Sequence, residues 1–588
     1  MASPGSRGGG QQKAWAGAGR VLMFVNLTIF SDANQTKGKT WYSSTGRSSP
    51  FSSCQMSALS SEKRDADGRH GPRVDLALAL ALFVVAAIFR LMDLQARNLW
   101  TDEAWVALAV LKNSPGEVLA AGKSTPPFYL LVLWALTQVF GGSEAVLRSL
   151  SFCFGLGTVL LFYLLARSLT DVPTSLLGLA AITFSPIMVY FSKELKQYSG
   201  DAFFAVLLVL LSERLRARGG RKGWLELGLA GGLGLGFSHS LVFVLPTVLT
   251  ALWLALPNRP RGRIALLALG WGAAFVLLYF MFFRHQVDPD LVDYWSQDFP
   301  DFSGLLAFLG WLAGALHRYL DYFLGEYGTF WGAPLLVIGF VYLIRQGQGL
   351  ACLYLAGPLL LALGAATLHR YPFMAHYGGS RLMLFSAPLL YLVVAAGGTT
   401  VFLFLWRHKT WRWLTPVLLG GILLALKPGE MLRENFHPGF NRSQLKPLVR
   451  HLEKTMGTRD RVYVYYYAIH PFRYYYQGNL EQVYWGKSCL ETGLRLMEED
   501  DDEEEDGEEP TARCLWLISG HYPSLAYMET FARNLLGPDW RQTARYEAPG
   551  AVLYRFERQP GAVAKTRPVR PGSGGSGSPA PAVERALR

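Results

Sequence analysis

Two adjacent acids, Asp102-Glu103, are the first residues of this 588-residue chain with an evident capacity for chemistry. They lie in the segment TDEAW, just beyond the first long apolar segment, where desolvating a carboxylate is costly. A carboxylate in that place can accept a proton from a hydroxyl nucleophile, so both are candidate catalytic residues. The alternative is a solvated pair in the first turn of a helix.

A second polar segment, SKELKQYSGD at 192–201, offers cations and a hydroxyl near a membrane surface. Two lysines followed by a tyrosine and an aspartate suit a lipid phosphate, although lysines also reach toward headgroups without any specific role. The candidate phosphate-binding residues are Lys193, Lys196, Tyr198 and Asp201, with Glu194 as a weaker candidate.

A third polar segment, HRYP at 369–372, is followed by Arg381 at the start of another apolar segment. Arginine suits phosphate because its planar guanidinium donates two parallel hydrogen bonds. We therefore add Arg370 and Arg381 to the candidate donor-binding residues, although Arg381 could equally anchor a helix end. The weaker candidates are His369, Tyr371 and His239.

The composition of the chain indicates that membrane helices position these three polar segments. Apolar residues make up 51% of the chain and charged residues 17%, against about 25% charged in soluble domains. Mean hydropathy is +0.19, which favours a polytopic α-helical membrane protein. The net charge of +12 is then better explained by basic cytoplasmic loops than by nucleic-acid binding. Five cysteines without CxxC spacing argue against a zinc or redox framework.

Basic loops at 214–222, 259–263 and 407–412 predict the orientation, because such loops remain in the cytoplasm. All three fall inside only if the short apolar segment 128–140 lies on the outer membrane face instead of crossing. Eleven spans then remain, near 74–92, 146–167, 172–190, 200–215, 223–238, 240–256, 263–283, 329–345, 349–367, 381–405 and 411–427.

This topology predicts four outer loops, at 93–145, 191–199, 284–328 and 368–380, and an outer C-terminal part. The acidic pair and the cations then share one face of the membrane. That is the layout needed to transfer a group from a lipid-linked phosphate: an acid activates the acceptor while cations stabilise the leaving phosphate. A divalent metal could supply that second function.

We predict four regions along the chain. Residues 1–72 form a disordered tail, with residues 1–55 arising from a start codon assigned before Met56. Residues 73–428 form the membrane domain, with outer loop 93–145. Residues 429–558 form a small soluble α/β domain with strands at 461–467 and 512–519 and a helix at 524–536. Residues 559–588 form a disordered tail.

Two features of the C-terminal part remain open. Residues 498–509 contain eleven acidic side chains, and such a block usually stays solvated and disordered. Cys489 and Cys514 could form a disulfide in an oxidising compartment or remain as thiols, and the sequence favours neither.

The motifs TDEAW, STPPFYLLVLWALTQVFGGSEAVLRSLS, SPIMVYFSKELKQYSGDAF and HRYPF…GSRLMLFSAPLLYL, in this order, resemble a known group. These are the GT-C-fold membrane glycosyltransferases of family 39, the protein O-mannosyltransferases and aminoarabinose transferases. The resemblance covers residues 74–428, and such proteins have an acidic pair in a long first outer loop and an odd number of spans.

The resemblance implies that Asp102 is the catalytic base and that Glu103 supports it. Lys196 stands where the group often has arginine beside the lipid phosphate, and Tyr198 and Asp201 follow in the matching loop. The implied reaction moves a monosaccharide, with inversion, from a polyprenyl-phosphate donor to an unidentified envelope acceptor at the outer face. No metal or other cofactor is implied.

The C-terminal part does not resemble the β-trefoil inserts of eukaryotic members, so we expect a bacterial enzyme of the cytoplasmic (inner) membrane. The alternative is a transporter or flippase of lipid-linked sugars. A transporter should have polar groups near the bilayer midplane, often in repeated halves, and the sequence contains no evident repeat.

Overall fold

The computed structural model describes residues 72–92, 94–122, 124–257, 260–286, 295–374, 377–425, 429, 433, 443–486 and 514–559. Several predictions concern other residues and stay predictions: the N-terminal tail with Met56, the acidic block 498–509, and the tail beyond 559. Cys489 also lies outside the described residues, so the question of its pairing with Cys514 stays open.

Helices make up the described chain from Pro72 to Ala425. They are α1 (Pro72–Leu91), α2 (Thr101–Val110), α3 (Pro115–Ala121), α4 (Pro127–Phe140), α5 (Glu144–Leu169), α6 (Val172–Phe184), α7 (Pro186–Phe191), α8 (Tyr198–Arg218), α9 (Gly220–Gly234), α10 (Leu241–Ala255), α11 (Arg261–Met281), α12 (Leu305–Leu324), α13 (Gly328–Arg345), α14 (Gly349–Thr367), α15 (Ala387–Arg407) and α16 (Leu414–Ala425). A helical turn at Tyr377–Ser380 and a 3-10 helix at Arg381–Ser386 lead into α15.

Six helical segments of the described chain are long and apolar enough to cross a membrane. They are Val74–Leu91, Glu144–Leu169, Arg261–Met281, Gly328–Arg345, Gly349–Thr367 and Arg381–Arg407. Helices α4, α6 and α10 are apolar but shorter. The predicted helix near 128–140 is therefore confirmed as a short helix, whereas its position in the membrane and the total of eleven spans stay predictions.

Two segments differ from the sequence prediction. The predicted continuous span 172–190 is interrupted between α6 and α7 by Ser185, whose hydroxyl accepts from the Met188 N–H, with Pro186 next. A serine cap followed by proline is a typical helix start, so the apolar run is two helices. The predicted loop 284–328 contains α12, which buries Tyr319 and Phe323 and exposes Leu306.

The C-terminal part is a mixed α/β unit. It contains α17 (Leu445–Thr455), β1 (Arg461–Val464), α18 (Ile469–Tyr475), β2 (Val483–Trp485), β3 (Cys514–Gly520), α19 (Leu525–Leu536), β4 (Trp540–Ala548) and β5 (Ala551–Arg558). The strand order is β2-β1-β3-β5-β4, in which β1 pairs in parallel with β2 and β3, and β5 pairs antiparallel with β3 and β4.

Alternation along β1 explains why this sheet is covered on both faces. Val462 packs in a core with α17 and α18, whereas its neighbour Tyr463 packs with α19 on the opposite face. Strand β3 is buried throughout, as its position in the middle of the sheet requires. The predicted strands near 461 and 514 and the helix near 525 are found in the structure, with ends shifted by up to three residues.

Candidate active site

Helix α2 positions the acidic pair, because Asp102 and Glu103 both lie in its first turn. Its remaining sequence is apolar, and Val106 and Val110 pack in a buried cluster with Leu133 of α4. A carboxylate at a helix N-terminus is stabilised by the partial positive charge of the free N–H groups. The two acids nevertheless have different surroundings: Glu103 is fully buried, and the Asp102 side chain is 28% exposed.

Arg148 of α5 holds Glu103 through two parallel hydrogen bonds. Its Nε donates to Oε1 at 2.9 Å, and its Nη2 donates to Oε2 at 2.8 Å. The other guanidinium hydrogens are donated to the backbone carbonyls of Leu94, Arg97 and Asn98. All five donors of Arg148 are thus engaged, and the chain leading into α2 is fixed to α5.

Glu103 also connects α2 to the second polar segment, since its Oε1 accepts from the Leu195 N–H at 2.9 Å. Burial would raise the pKa of Glu103, but the charges of Arg148 and Arg97 hold it below its ordinary value. Glu103 is therefore a buried anion that orders two loops. This placement suits the supporting role expected for Glu103 and keeps it from direct contact with a substrate.

Lys193 points toward the end of α1. Its Nζ donates to the carbonyl oxygens of Phe89 at 3.3 Å and Met92 at 3.2 Å. A cation at a helix C-terminus satisfies free carbonyl groups and complements the helix dipole. The structure therefore gives Lys193 a structural contact that a phosphate-binding role would have to replace.

Glu194 has a comparable structural contact. Its Oε1 accepts from the Trp100 indole N–H at 2.9 Å, which fixes the residue immediately before α2. The segment Ser192–Gln197 is buried, although it is rich in polar residues. This buried segment therefore packs against the start of α2, which carries the acidic pair.

Asp102, Lys196 and Arg381 form the charged centre of the site. Arg381 Nη1 lies 3.4 Å from Asp102 Oδ2, and its side chain is 16% exposed. The Lys196 side chain is mostly buried; burial lowers its pKa below the ordinary 10.5, the nearby Asp102 partly offsets this effect, and Arg381 adds to it. Asp102 and Arg381, from distant parts of the sequence, therefore meet at one partly open position, and both charges act on the buried Lys196.

Aromatic rings surround the guanidinium of Arg381. Its central carbon lies 5.7 Å from the ring centroid of Tyr198 and 5.7 Å from that of Trp295. Such cation–π contacts fix the direction of the guanidinium plane. Tyr198 is thus brought to the site, as the sequence predicted, and contacts Arg381 through its ring.

Asp201, in α8, lies close to the loop that contains His239. Asp201 is buried close to Ser238 and Ser240, which flank His239. The His239 ring meets Phe283 edge-on at 5.0 Å, and burial lowers its pKa to about 4, so it is neutral at physiological pH. Asp201 follows Tyr198 by one turn of α8, so these residues lie next to Tyr198.

The third polar segment divides into two parts. The Tyr371 hydroxyl donates to the Leu382 carbonyl at 3.0 Å, next to Arg381, and its ring packs on Phe243. His369 and Arg370 are exposed, and in the described part of the chain neither forms a hydrogen bond or ion pair with Asp102 or Lys196. The structure therefore brings Arg381 to the site and leaves Arg370 outside it.

The C-terminal unit contributes contacts that sequence reasoning did not identify. The Thr101 hydroxyl donates to the Tyr467 carbonyl at 2.6 Å, and the Leu99 N–H donates to the Tyr475 hydroxyl at 2.7 Å. The His470 ring stacks on Trp105 at 5.1 Å with an 11° angle between planes. Helix α18 therefore packs directly on the helix that carries Asp102.

Among the described residues, no cluster of three or more His, Cys, Asp or Glu side chains could hold a metal ion. The independence from metals implied by the resemblance stays a prediction. In the described part of the chain, Arg381 pairs with Asp102, and Lys196 lies close enough for the two charges to interact.

Comparison with known proteins places this geometry in context. Residues 124–283 match the family described as dolichyl-phosphate-mannose-protein mannosyltransferase. The matched segment includes Lys196, Tyr198 and Asp201 and begins after Asp102. No curated protein matches the chain.

Solved structures with a similar chain course include three that differ in what they hold. AglB from Archaeoglobus fulgidus, in complex with an inhibitory peptide and a dolichol-phosphate, is 11% identical with a TM-score of 0.46, over 83% of this chain and 75% of that one. ArnT from Cupriavidus metallidurans, bound to undecaprenyl phosphate, is 12% identical with a TM-score of 0.42, over 82% and 97%.

The third is the Archaeoglobus fulgidus oligosaccharyltransferase in complex with Zn and sulfate, 14% identical with a TM-score of 0.42. That match covers 67% of this chain and 61% of the oligosaccharyltransferase. The resemblance seen in the motifs is confirmed by the family match: this chain is a polytopic helical membrane protein similar, over residues 124–283, to the dolichyl-phosphate-mannose-protein mannosyltransferases.

Proposed function

We propose that this protein is an integral-membrane glycosyltransferase that moves a monosaccharide from a polyprenyl-phosphate donor to a hydroxyl group of an envelope acceptor. The observation that carries the proposal is the meeting of Asp102 with Lys196 and Arg381 at one partly exposed position. The matched family, whose description names a dolichyl-phosphate sugar, supports the same class of donor.

In the proposed step, the acceptor oxygen attacks the anomeric carbon of the sugar while Asp102 takes the hydroxyl proton. The bond from that carbon to the phosphate oxygen breaks, and the electron pair leaves with the polyprenyl phosphate. Lys196 and Arg381 stabilise the charge that develops on this leaving group. Attack opposite the departing phosphate inverts the configuration at the anomeric carbon.

The Arg381–Asp102 distance suits a shared role for the arginine. At 3.4 Å it is longer than the roughly 2.7–2.9 Å of a strong charge-assisted hydrogen bond. A phosphate anion can therefore draw the guanidinium away from Asp102, which leaves the carboxylate able to accept the proton of the acceptor hydroxyl. Donor binding would in this way prepare the base.

The cellular setting is part of the same proposal. The chemistry takes place at the outer face of a bacterial cytoplasmic membrane, with the C-terminal unit on that side. The basic loops at 214–222, 259–263 and 407–412 support this orientation.

The test is transfer by the full-length protein in lipid nanodiscs. Radiolabelled polyprenyl-phosphate hexoses and pentoses are supplied with an envelope extract, and both free polyprenyl phosphate and labelled acceptor are measured. We expect equal amounts of the two products from the wild type and neither from Asp102→Asn.

Two results would contradict the proposal. The first is an absence of polyprenyl-phosphate release from every donor in a folded preparation. The second is movement of intact donor between leaflets of proteoliposomes without release of polyprenyl phosphate, which would identify a transporter.

A further inference from the structure

Helix α18 places a histidine, His470, close to Asp102, although His470 follows Asp102 by more than 360 residues in the sequence. The His470 ring stacks on Trp105 at 5.1 Å, with the two planes only 11° apart. Trp105 is exposed and His470 is partly exposed, so their stack lies at the surface and not in the core.

Trp105 connects this stack to Asp102. The two residues are three positions apart in α2, and side chains with that spacing are neighbours on a helix surface. The Trp105 side chain is 39% exposed, an unusual state for a large indole in an otherwise buried helix. The stacked rings of Trp105 and His470 therefore lie next to the Asp102 carboxylate.

The charges around His470 come from two sides. Asp102 and Lys196 of the membrane part act on it, and Arg473 lies one turn further along α18. Burial, together with Arg473, lowers the pKa of His470 below its ordinary value despite the opposing effect of Asp102. A neutral imidazole has one ring nitrogen available to accept a hydrogen bond.

Contacts on both sides of His470 fix its position: one at Tyr475, the last residue of α18, and one at Tyr467, two residues before α18 begins. The Tyr475 hydroxyl accepts from the Leu99 N–H and donates to Glu144 at 2.6 Å. Lys446 Nζ completes this group, 3.0 Å from both Glu144 oxygens. Thr101, next to Asp102, is bonded to the Tyr467 carbonyl.

We propose that His470 is an acceptor-orienting residue: its imidazole, held against Trp105 beside Asp102, accepts a hydrogen bond from the acceptor and aligns the attacking hydroxyl with the base. This inference rests on the proposed transferase function and adds the C-terminal unit to the transfer site. The donor side of the site is formed by Lys196, Arg381 and Tyr198, and the acceptor side by Trp105 and His470.

Three variants in the full-length protein test this inference. His470→Phe keeps an aromatic ring against Trp105 and removes the nitrogen acceptor, and His470→Gln restores a hydrogen-bond acceptor without the ring. His451→Phe is the matched control, because His451 packs on Tyr546 of the sheet at 4.1 Å. Each variant is assayed with the donor and envelope extract that serve the wild type.

We expect His470→Phe to raise the half-saturating amount of extract about ten- to hundred-fold, the effect of losing one hydrogen bond in a partly buried site. The half-saturating donor concentration and the affinity for undecaprenyl phosphate should both stay at wild-type values. His470→Gln should recover part of the loss, and His451→Phe should match the wild type.

Equal acceptor saturation by His470→Phe and wild type would overturn the role of His470. An equal rise in donor and acceptor half-saturation would overturn it too, since that pattern indicates a general structural effect. Neither result affects the proposed function, which fails only if the wild type releases no polyprenyl phosphate at all.

Discussion

Arg148 and Glu103 form a fully buried ion pair with two hydrogen bonds, at 2.9 and 2.8 Å, between α5 and α2. The same guanidinium binds three carbonyls of the segment before α2, and the same carboxylate binds the Leu195 N–H. The Arg148–Glu103 ion pair therefore sets the distance between the start of α2 and the segment that carries Lys196.

Removing one member of that pair should strongly destabilise the protein. Arg148→Met removes both hydrogen bonds to the buried Glu103 and leaves it only the more distant Arg97, at 3.8 Å. Breaking a buried ion pair in this way typically costs about 3–5 kcal/mol. Thermal unfolding in nanodiscs should show a clearly lower midpoint. Arg545→Met is the matched control, because Arg545 pairs with Glu529 on the surface at 3.0 Å, where such pairs contribute about 0–1 kcal/mol. Equal midpoints for the two variants would refute this account.

Neutralising Asp102 should abolish transfer without affecting the fold. We expect Asp102→Asn to lower the transfer rate about 100- to 10,000-fold, since the acceptor proton loses its base. The unfolding midpoint and undecaprenyl-phosphate affinity should remain close to those of the wild type. Asp171→Asn is the control: Asp171 caps α6 through the Thr174 N–H, and asparagine caps equally well. Undiminished transfer by Asp102→Asn would exclude Asp102 as the base.

Donor binding should depend on alkaline pH through Lys196. Its pKa lies below 10.5, mainly because of burial, so the ammonium loses its proton earlier than an exposed lysine as the pH rises. Affinity for undecaprenyl phosphate should therefore be highest while Lys196 is protonated and fall as the pH rises through that lowered pKa.

Lys196→Arg should keep its affinity over the same range, because a guanidinium stays protonated. Lys193→Arg should still lose affinity as the wild type does, since Lys196 remains. A wild-type affinity that does not change with alkaline pH would argue against a phosphate contact by Lys196.

The Tyr475 hydroxyl should be necessary for docking of the C-terminal unit. Tyr475→Phe leaves the buried Leu99 N–H without a partner, at a cost of about 1–3 kcal/mol, and leaves Glu144 with Lys446. Hydrogen exchange of α18 and α2 should accelerate, and transfer should fall. Tyr476→Phe should change neither, because that hydroxyl makes only a 3.4 Å bond to Asn479. Equal exchange in both variants would show that this hydroxyl does not hold the interface.

The sequence was most informative where one residue type has a strong local preference. Apolar segments gave most of the helices, and short runs rich in apolar and aromatic residues gave β1 and β3, each of which has a neighbouring strand on both sides. Strand β4 was missed because its side chains are mostly exposed and polar, so it has no apolar alternation to detect. The break at Pro186 had a visible signal, a serine followed by proline, inside a run that is apolar on both sides.

Three charged residues that the sequence singled out lie near one another in the structure, whereas no signal in the sequence indicated their buried partners. Asp102, Lys196 and Arg381 stand out because charges near apolar segments are few. Arg148 gave no comparable signal, since its partner lies 45 residues away and pairing across helices depends on packing. Lys193 and Arg370 show the reverse: their residue types suited a phosphate, but one binds carbonyls of α1 and the other is exposed.

The Leu99–Tyr475 hydrogen bond also bears on biosynthesis. Its two residues are separated by 376 positions, so the loop before α2 acquires this partner only after nearly the whole chain has been made. At about 5–20 residues per second, the ribosome reaches Tyr475 roughly 20–75 s after Leu99. A nascent or truncated chain that lacks α18 therefore cannot complete the loop at the acidic pair, so a late-translated helix determines when this loop reaches its final geometry.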